Sequence, residues 1–196
     1  LYGPVSVERR TADGLPYANN LVALLVVEEP GGVSEKEMMR VLAPRGTACI
    51  KRGGEWVKKT KPWPKRMDEW THYMYDATNN AVSEDRLVGP PSSLQWEGAP
   101  KWGRTHDPWS HFSPISALVS SGGRIFYIVD LGPRFSVAMP SNRYLVARDA
   151  FSGVTLWKRP VPTWNNPLKR WQDLPLQVPR RLVAVGDRVY AALPGG

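Results

Sequence analysis

The chain has 196 residues, of which 42% are hydrophobic, and a formal net charge of +8. This length accommodates one or two domains with packed cores, and no apolar run approaches the roughly 20 residues of a membrane-spanning helix. The single cysteine, Cys49, excludes an internal disulfide framework and a cysteine zinc cluster. Because Cys49 lies in an apolar run, we expect a buried structural thiol.

The sequence pattern of residues 1–61 predicts the strands of an α/β fold. Residues 5–9 are a short strand candidate, and residues 21–27 form an apolar run typical of a strand buried on both faces of a parallel sheet. Residues 47–50 start another strand. A Gly-Gly turn at 53–54 then leads into residues 55–60, which predicts a hairpin.

One sizeable helix is predicted near residues 34–42. Ser34 is a candidate N-cap, and Val33 and Met38 can form a hydrophobic staple across it. An apolar face continues to Leu42, and Pro44 should stop the helix.

A basic cluster follows, and Glu55 is the one acidic residue within its span. It permits a nucleic-acid or anionic-membrane patch or a solvated linker face. Because no aromatic–glycine nucleic-acid module accompanies it, we favour the linker face and expect no nucleic-acid partner. The cluster comprises Arg45, Lys51, Arg52, Lys58, Lys59, Lys61, Lys65 and Arg66.

From about residue 62 onward Pro, Trp, Gly and Asn become frequent, and helical periodicity is lost, which predicts an all-β region. Metal-capable residues in this region are His72, Asp76, His106, Asp107 and His111. They could converge on Zn or Fe(II) or anchor loops through hydrogen bonds. We favour loop anchoring and predict no metal site.

Five tryptophans also fall in this region, namely Trp63, Trp70, Trp96, Trp102 and Trp109. They could form a stacking platform for a sugar or a quinone. Packing between elements and loop anchoring are the alternatives that we favour.

The most specific pattern consists of Ala147, Asp149, Ser152, Gly153 and Trp157. Two β-rich runs flank a turn, where the aspartate can accept backbone N–H groups and the glycine can adopt positive φ. We therefore predict an antiparallel arrangement of strands at 124–129, 144–149 and 155–158. The spacing resembles the tryptophan-docking motif of pyrroloquinoline-quinone (PQQ) type β-propellers, with Ser152 where threonine is usual. The resemblance implies that these five residues lock blades together, and it gives Asp149 no catalytic role.

A repeat supports this resemblance. Leu118, Gly122 and Arg124 recur at one constant offset as Leu182, Gly186 and Arg188. Propeller blades repeat at roughly 40–50 residues, which is shorter than this offset, so we expect an insertion at 160–179. We expect the recurring strand at 182–190 to belong to a second, incomplete blade with an open edge, which favours self-association.

The segment before these strands carries a second part of the pattern. Asp68-Glu-Trp70, followed by Asp76, Asn79-Asn80 and Ser83, resembles the lead-in of quinoprotein-dehydrogenase-like propellers. Leu94-Gln-Trp96 continues it. The resemblance extends from about position 62 to the end of the chain and implies one complete blade and the start of another.

The first segment carries a different resemblance. The stretch from Leu15-Pro16-Tyr17 to Asn20, the apolar strand, and the run from Glu37 to Gly46 resemble the C-terminal half of a class I S-adenosylmethionine-dependent methyltransferase. Arg45 stands where that family has a glycine, and Ala23 and Thr11 stand where it has acidic residues. The glycine-rich loop that holds the methionine part of the cofactor is absent.

These patterns together predict an α/β fragment followed by an all-β region: a partial Rossmann-like methyltransferase lobe and the first blades of a β-propeller. We expect residues 1–61 to form the methyltransferase-like fragment, 62–114 the linker and lead-in segment, and 115–196 the incomplete propeller. Both ends of the chain read as cut, so we expect a fragment of a bacterial fusion protein. Two compartments, the cytoplasm and the periplasm, are compatible with the sequence.

Three function classes follow from the resemblances. A longer parent could be a methyltransferase using S-adenosylmethionine, a PQQ-dependent alcohol or sugar dehydrogenase, or a non-catalytic propeller scaffold that binds proteins. We expect the isolated chain to be inactive and to bind neither cofactor. The remaining blades of the parent and further proteins are its expected partners.

Overall fold

The structure, a computed structural model, describes residues 5, 7, 9, 14–90, 94–98, 114–133, 139–164 and 178–193. The chain divides into two compact units, Leu1–Trp63 and Pro64–Gly196. Strands predominate in the described part, and its sheets are open. No helix among the described residues has the length and apolar character needed to cross a bilayer.

The first unit contains a three-stranded sheet with one helix. Its elements are β1 (Val22–Val27), α1 (Glu35–Val41), β2 (Leu42–Arg52) and β3 (Glu55–Thr60). The strand order is β1-β2-β3, with β1 parallel to β2 and β3 antiparallel to β2. Helix α1 therefore forms the connection between two parallel strands, as a βαβ unit requires.

The cap signals place α1 where the sequence predicts it. The Ser34 hydroxyl accepts a hydrogen bond from the Glu37 N–H at 3.2 Å, which satisfies one of the free amides of the first turn. Val33 packs against a cluster that contains Met38, Leu42, Ala48 and Ile50. The predicted helix at 34–42 is confirmed.

The end of the helix differs from the prediction. Helix α1 ends at Val41, and Pro44 lies inside β2, which starts at Leu42 and not at Thr47. Val22 pairs with Leu42 and Leu24 with Thr47, so a bulge in β2 accommodates the residues between them. Proline is tolerated at such a bulge because no ladder hydrogen bond is required of it.

Two further expectations for the first unit are wrong. Val5, Val7 and Arg9, the described positions of 5–9, have no strand structure. Strand β1 is partly buried on one face only, where Leu25 and Val27 pack against the cluster that contains Met38. On the other face Leu24 and Val26 are 60% and 57% exposed.

Cys49 pairs with Val26 across the sheet and so shares its exposed face. It is partly exposed and not buried as expected.

The second unit contains a four-stranded antiparallel sheet in which consecutive strands are neighbours. Its strands are β4 (Ile115–Ser121), β5 (Arg124–Asp130), β6 (Arg143–Asp149) and β7 (Thr155–Pro160). The strands predicted at 124–129, 144–149 and 155–158 are confirmed, and their antiparallel pairing is as expected.

A separate antiparallel hairpin follows, formed by β8 (Leu182–Val185) and β9 (Arg188–Ala191). The single strand expected at 182–190 is therefore two strands, because Gly186 adopts a φ of 60° and turns the chain between them. Gly122, its counterpart between β4 and β5, has a φ of 63°.

The sheet β4–β7 is apolar on both faces. Its first face, which includes Val119 and Phe126, packs against β8 and β9 in the main core. Its second face carries a smaller cluster with Tyr127, Val129 and Val146. The buried members of the main core are Ala117, Val119, Phe126, Ile128, Leu145, Ala147, Val161, Trp164, Val178, Leu182 and Ala184.

The expected insertion at 160–179 is described only at its ends, and residues 165–177 lie outside the described part. Val161, Trp164 and Val178, from those described ends, belong to the main core.

Candidate functional site

The turn between β6 and β7 is held by the aspartate that the sequence singles out. The Asp149 Oδ1 atom accepts hydrogen bonds from the Ser152 N–H at 2.7 Å, the Ser152 hydroxyl at 2.8 Å and the Phe151 N–H at 3.1 Å. The Gly153 N–H donates to the Asp149 carbonyl at 3.0 Å, and Gly153 has a φ of 71°. These bonds use the carboxylate to fix a rigid turn.

The remaining two motif residues face each other across β6 and β7. Ala147 pairs with Trp157, and Ala147 is fully buried. The Trp157 ring lies 6.0 Å from the Phe126 ring and packs against the main core. The small Ala147 side chain therefore leaves room for the indole on the first face of the sheet.

For Trp96, sequence reasoning favoured packing or loop anchoring but did not identify the partner. Its Nε1–H donates to the Ala150 carbonyl at 3.1 Å, and its ring covers Gly153 so closely that a Cβ atom there would lie 2.4 Å from Trp96 Cδ2. The neighbouring Gln95 side chain donates to the Phe151 carbonyl at 2.8 Å. A tryptophan from outside β4–β7 is thus docked on the motif turn.

The sequence held a signal for this contact, since Leu94-Gln-Trp96 continues the pattern that carries the propeller resemblance. The sequence does not show which residue Trp96 contacts, because Trp96 and Gly153 are far apart along the chain.

Arg148 connects the turn with the second face of the sheet. Its guanidinium donates to the Gly153 carbonyl at 2.6 Å and to the Tyr127 hydroxyl at 2.7 Å. Both acceptors belong to the sheet or its turn, so these two contacts of Arg148 stabilise the turn.

The lead-in segment joins both hairpins. The Trp70 carbonyl accepts from the Ser120 N–H at 2.6 Å, and the Thr71 carbonyl accepts from the Ala184 N–H at 3.0 Å. The Glu69 carboxylate accepts from the Gly122 N–H and from the Ser121 hydroxyl. Three consecutive lead-in residues therefore bind the ends of β4 and β8.

Asp68 is the centre of a network that folds this lead-in segment. Its carboxylate accepts from the Tyr75 hydroxyl at 2.6 Å, from the Glu69 and Glu84 N–H groups at 2.8 Å each, and from the Ser83 hydroxyl at 3.2 Å. Burial by itself raises the pKa of Asp68, but these hydrogen bonds outweigh it and lower the pKa. The bond to Asp68 in turn raises the pKa of Tyr75 to about 12.

In the first unit, an ion pair on α1 holds the Leu15-Pro16-Tyr17 segment. Glu37 accepts from the Leu15 N–H at 2.8 Å, and Arg40 donates to the Leu15 and Tyr17 carbonyls at 3.0 and 2.9 Å. Hydrogen bonds from Arg40 and then from Leu15 lower the pKa of Glu37 to about 2. Both residues lie in the motif that carries the methyltransferase resemblance.

The bulge in β2 contains the Arg-Gly pair of the same motif. Arg45 has a φ of 65°, a conformation that favours glycine. A Cβ atom on Gly46 would lie 2.8 Å from the Ala43 carbonyl oxygen and 2.9 Å from that of Val22. Glycine is therefore required at 46 by a close approach of two backbones.

The metal-capable residues do not form a site in the described part of the chain. Residues 72–76 form a turn closed by a bridge between His72 and Tyr75, and Asp76 accepts from the Thr78 N–H and hydroxyl. Across the described ranges no group of three or more His, Cys, Asp or Glu residues could hold an ion. His106, Asp107 and His111 lie outside those ranges.

The described tryptophans of the aromatic segment have packing partners of their own. Trp63 lies under the Arg45 guanidinium at 4.7 Å, and Trp70 makes an edge contact with Tyr75 at 5.7 Å. Trp96 is docked as described above. These contacts favour packing over a stacking platform; Trp102 and Trp109 lie outside the described residues.

Several members of the basic cluster bind within the first unit. Lys61 donates to the Met39 and Leu42 carbonyls at 2.7 and 2.8 Å, at the end of α1. Lys59 pairs with Glu35 at 2.5 Å, and Arg52 approaches the same carboxylate at 3.8 Å. These side chains stabilise the helix and its connection to the sheet.

Comparison of the chain with protein-family models, with curated proteins and with solved structures found no match.

Proposed function

We propose that Pro64–Gly196 is the first blade and the start of the second blade of a PQQ-type β-propeller, acting as a non-catalytic scaffold. The observation that carries this proposal is the docking of Trp96 on Gly153 and Ala150. In this role the motif turn receives a tryptophan from the lead-in segment, and Trp157 packs toward the core that the sheet shares with β8 and β9. The remaining blades and bound proteins are the partners that the proposal implies.

The two apolar faces of β4–β7 support the proposal. A sheet at the surface of a two-layer protein needs one apolar face, whereas a blade lies between two neighbours and needs two. Here β8 and β9 cover the first face, and the second face has an apolar cluster with Trp96 at its outer side.

For Leu1–Trp63, we propose the C-terminal part of a methyltransferase-like α/β lobe. The parallel pair β1 and β2 with α1 between them supports this assignment. Arg45 also supports the assignment, because it has a positive φ at the position where the methyltransferase family has a glycine. Methyl transfer would be an activity of a longer parent protein, and this lobe would contribute to its fold.

The docking contact can be tested by a double-mutant cycle between Trp96→Ala and Asp149→Ala, measured by denaturant unfolding. If Trp96 binds the turn that Asp149 orders, the two losses should be coupled by about 1 kcal/mol or more. Trp56→Ala, which removes an exposed tryptophan of the first unit, should combine additively with Asp149→Ala. Additivity in both pairs would refute the docking role.

A titration with PQQ and Ca²⁺ tests whether this chain by itself holds the quinone. The scaffold proposal expects no saturable change in PQQ absorbance or in tryptophan fluorescence. Saturable binding with micromolar affinity would instead favour the quinoprotein dehydrogenase.

A further inference from the structure

Two amides at equivalent positions of the repeat bind neighbouring carbonyls of the lead-in segment. Ser120 and Ala184 are related by the constant offset of the repeat. The Ser120 N–H donates to the Trp70 carbonyl at 2.6 Å, and the Ala184 N–H donates to the Thr71 carbonyl at 3.0 Å. Residues 69–71, which we call the strap, therefore cross the two hairpins and advance by one residue from one repeat to the next.

The strap lies on strand edges that have no other partner. β4 is an end strand of its sheet and β8 an end strand of its hairpin, so one edge of each has no partner strand among the described residues. β8 also lies against β4. Because the blades of a propeller converge on a central channel, first strands that touch are typical of the inner strands of successive blades. The strap thus occupies the inner edge of β4 and β8, where a further strand could otherwise add.

Glu69 anchors the strap to the sheet through its side chain. The Glu69 carboxylate accepts hydrogen bonds from the Gly122 N–H and from the Ser121 hydroxyl, and Ser121 is fully buried. Val185 stands at the position of Ser121 in the second hairpin, so that hairpin offers no equivalent hydroxyl. Hydrogen bonds to an ionised carboxylate are roughly twice as strong as neutral ones. This end of the edge therefore selects a carboxylate.

The surroundings of the strap also favour an acidic segment. The Trp70 N–H donates to the Ser120 hydroxyl at 2.9 Å, so the backbone of the segment is bound through both a donor and an acceptor. The Gly186 carbonyl accepts from the Ser121 hydroxyl at 3.2 Å and from the Arg124 guanidinium at 3.1 Å. A positive charge therefore lies near the bound carboxylate and complements it.

We infer that the inner edge of β4 and β8 is a binding site for an extended acidic peptide, which the strap occupies and so keeps closed. The peptide adds to the edge through backbone hydrogen bonds and places a carboxylate side chain at the position of Glu69. The inference rests on the proposed blade function, since it takes β4 and β8 as the inner strands of successive blades. The peptide belongs to another protein, which the scaffold binds when the strap is displaced.

The test uses the full chain and a fluorescently labelled synthetic peptide with the sequence of residues 66–76, followed by fluorescence anisotropy. The wild type should bind this peptide weakly, because its covalent link holds the strap at a high effective concentration. Glu69→Ala loosens the strap and should bind the peptide at least about tenfold more tightly. Glu97→Ala, at an exposed carboxylate of the same unit, is the matched control and should bind like the wild type.

Two further measurements locate the bound peptide. A peptide with alanine in place of Glu69 should bind the Glu69→Ala chain at least about tenfold more weakly than the unmodified peptide, because it lacks the carboxylate. Residue-resolved hydrogen exchange should show faster exchange of the Ser120 and Ala184 amides in Glu69→Ala and restored protection when the peptide is added. The Val146 amide, in the interior of β6, should exchange equally in both chains.

Equal affinity of the peptide for the wild type and Glu69→Ala, or no binding to either, would overturn the inference. So would tighter binding that leaves the Ser120 and Ala184 amides unprotected. Circular dichroism melting establishes that each variant is folded. If Glu69→Ala unfolds, Glu69→Gln replaces it, and the expected order of affinities is the same.

Failure of this site and failure of the blade are distinguishable. The Trp96–Asp149 cycle measures unfolding at a different contact, so a coupled cycle without peptide binding would refute the peptide site alone. An additive cycle would refute the blade.

Discussion

The indole ring of Trp96 lies directly on the backbone of Gly153, so that a Cβ atom at residue 153 would come within 2.4 Å of the ring. This contact joins a lead-in residue to the turn between β6 and β7. Glycine is needed at residue 153 for two reasons. Its φ is +71°, and the indole ring leaves no room for a side chain.

Gly153→Ala should therefore destabilise the protein by about 2–4 kcal/mol, through backbone strain of about 1 kcal/mol and displacement of the indole. Gly53→Ala separates the two effects, since Gly53 has a φ of 58° and a Cβ atom added there would meet no atom within 4 Å. Chemical denaturation of both variants gives the comparison. Equal losses would mean that Trp96 does not cover Gly153.

Trp157→Ala should cost about 3 kcal/mol, because it removes a large aromatic group from the first face, beside Phe126. Trp56→Ala, at a tryptophan that is 47% exposed, should cost less than about 1 kcal/mol. If Trp157→Ala changed the free energy of unfolding by less than about 0.5 kcal/mol, the packing of Trp157 and the blade assignment would both be contradicted.

Gly46→Ala should destabilise the first unit by about 2–4 kcal/mol, since the new methyl group would meet two carbonyl oxygens that belong to paired strands. Gly14→Ala is the control, because its nearest neighbour would be a side-chain oxygen of Glu37 at 3.8 Å. Thermal unfolding of both variants checks the prediction. A tolerated alanine at 46 would show that the bulge in β2 is open.

Unfolding should depend on pH through Asp68 and Tyr75. The folded pKa of Asp68 is lowered, so its contribution is present above the unfolded pKa of about 3.9 and is lost as pH falls through the folded value. The folded pKa of Tyr75 is raised to about 12, so its contribution is complete below about pH 10 and is lost as pH rises toward 12.

Denaturant midpoints measured across both pH ranges test this pair. Asp68→Asn should flatten the acid limb of the plot of denaturant midpoint against pH, and Tyr75→Phe should flatten its alkaline limb. Tyr73→Phe, which removes a neighbouring hydroxyl, serves as the control. Unchanged limbs in both variants would show that the Asp68–Tyr75 bond at 2.6 Å does not persist in solution.

The chain should show no measurable S-adenosylmethionine binding in titration calorimetry, because its sequence lacks the glycine-rich loop that contacts the methionine part of the cofactor. An intact class I methyltransferase provides the positive control. Micromolar affinity of this chain would contradict the prediction.

Local chemistry accounts for what the sequence predicted well. Ser34 and Glu37 define the start of α1 through one cap, and Asp149, Ser152 and Gly153 define a turn within one short stretch. Each of these features depends on neighbours along the chain, so residue types and spacing are sufficient to find them. The repeat at 118 and 182 is visible for the same reason.

The sequence by itself thus determined the helix start and the turns at residues 53–54 and 149–153, because these follow from short-range hydrogen bonds and local conformational preferences. Only the tertiary structure decided that Trp96 covers Gly153, that Glu69 binds the Gly122 amide and that Val22 pairs with Leu42 before a bulge. Those contacts join residues distant in sequence, and they form because packing selects one of many pairings that the same local pattern allows.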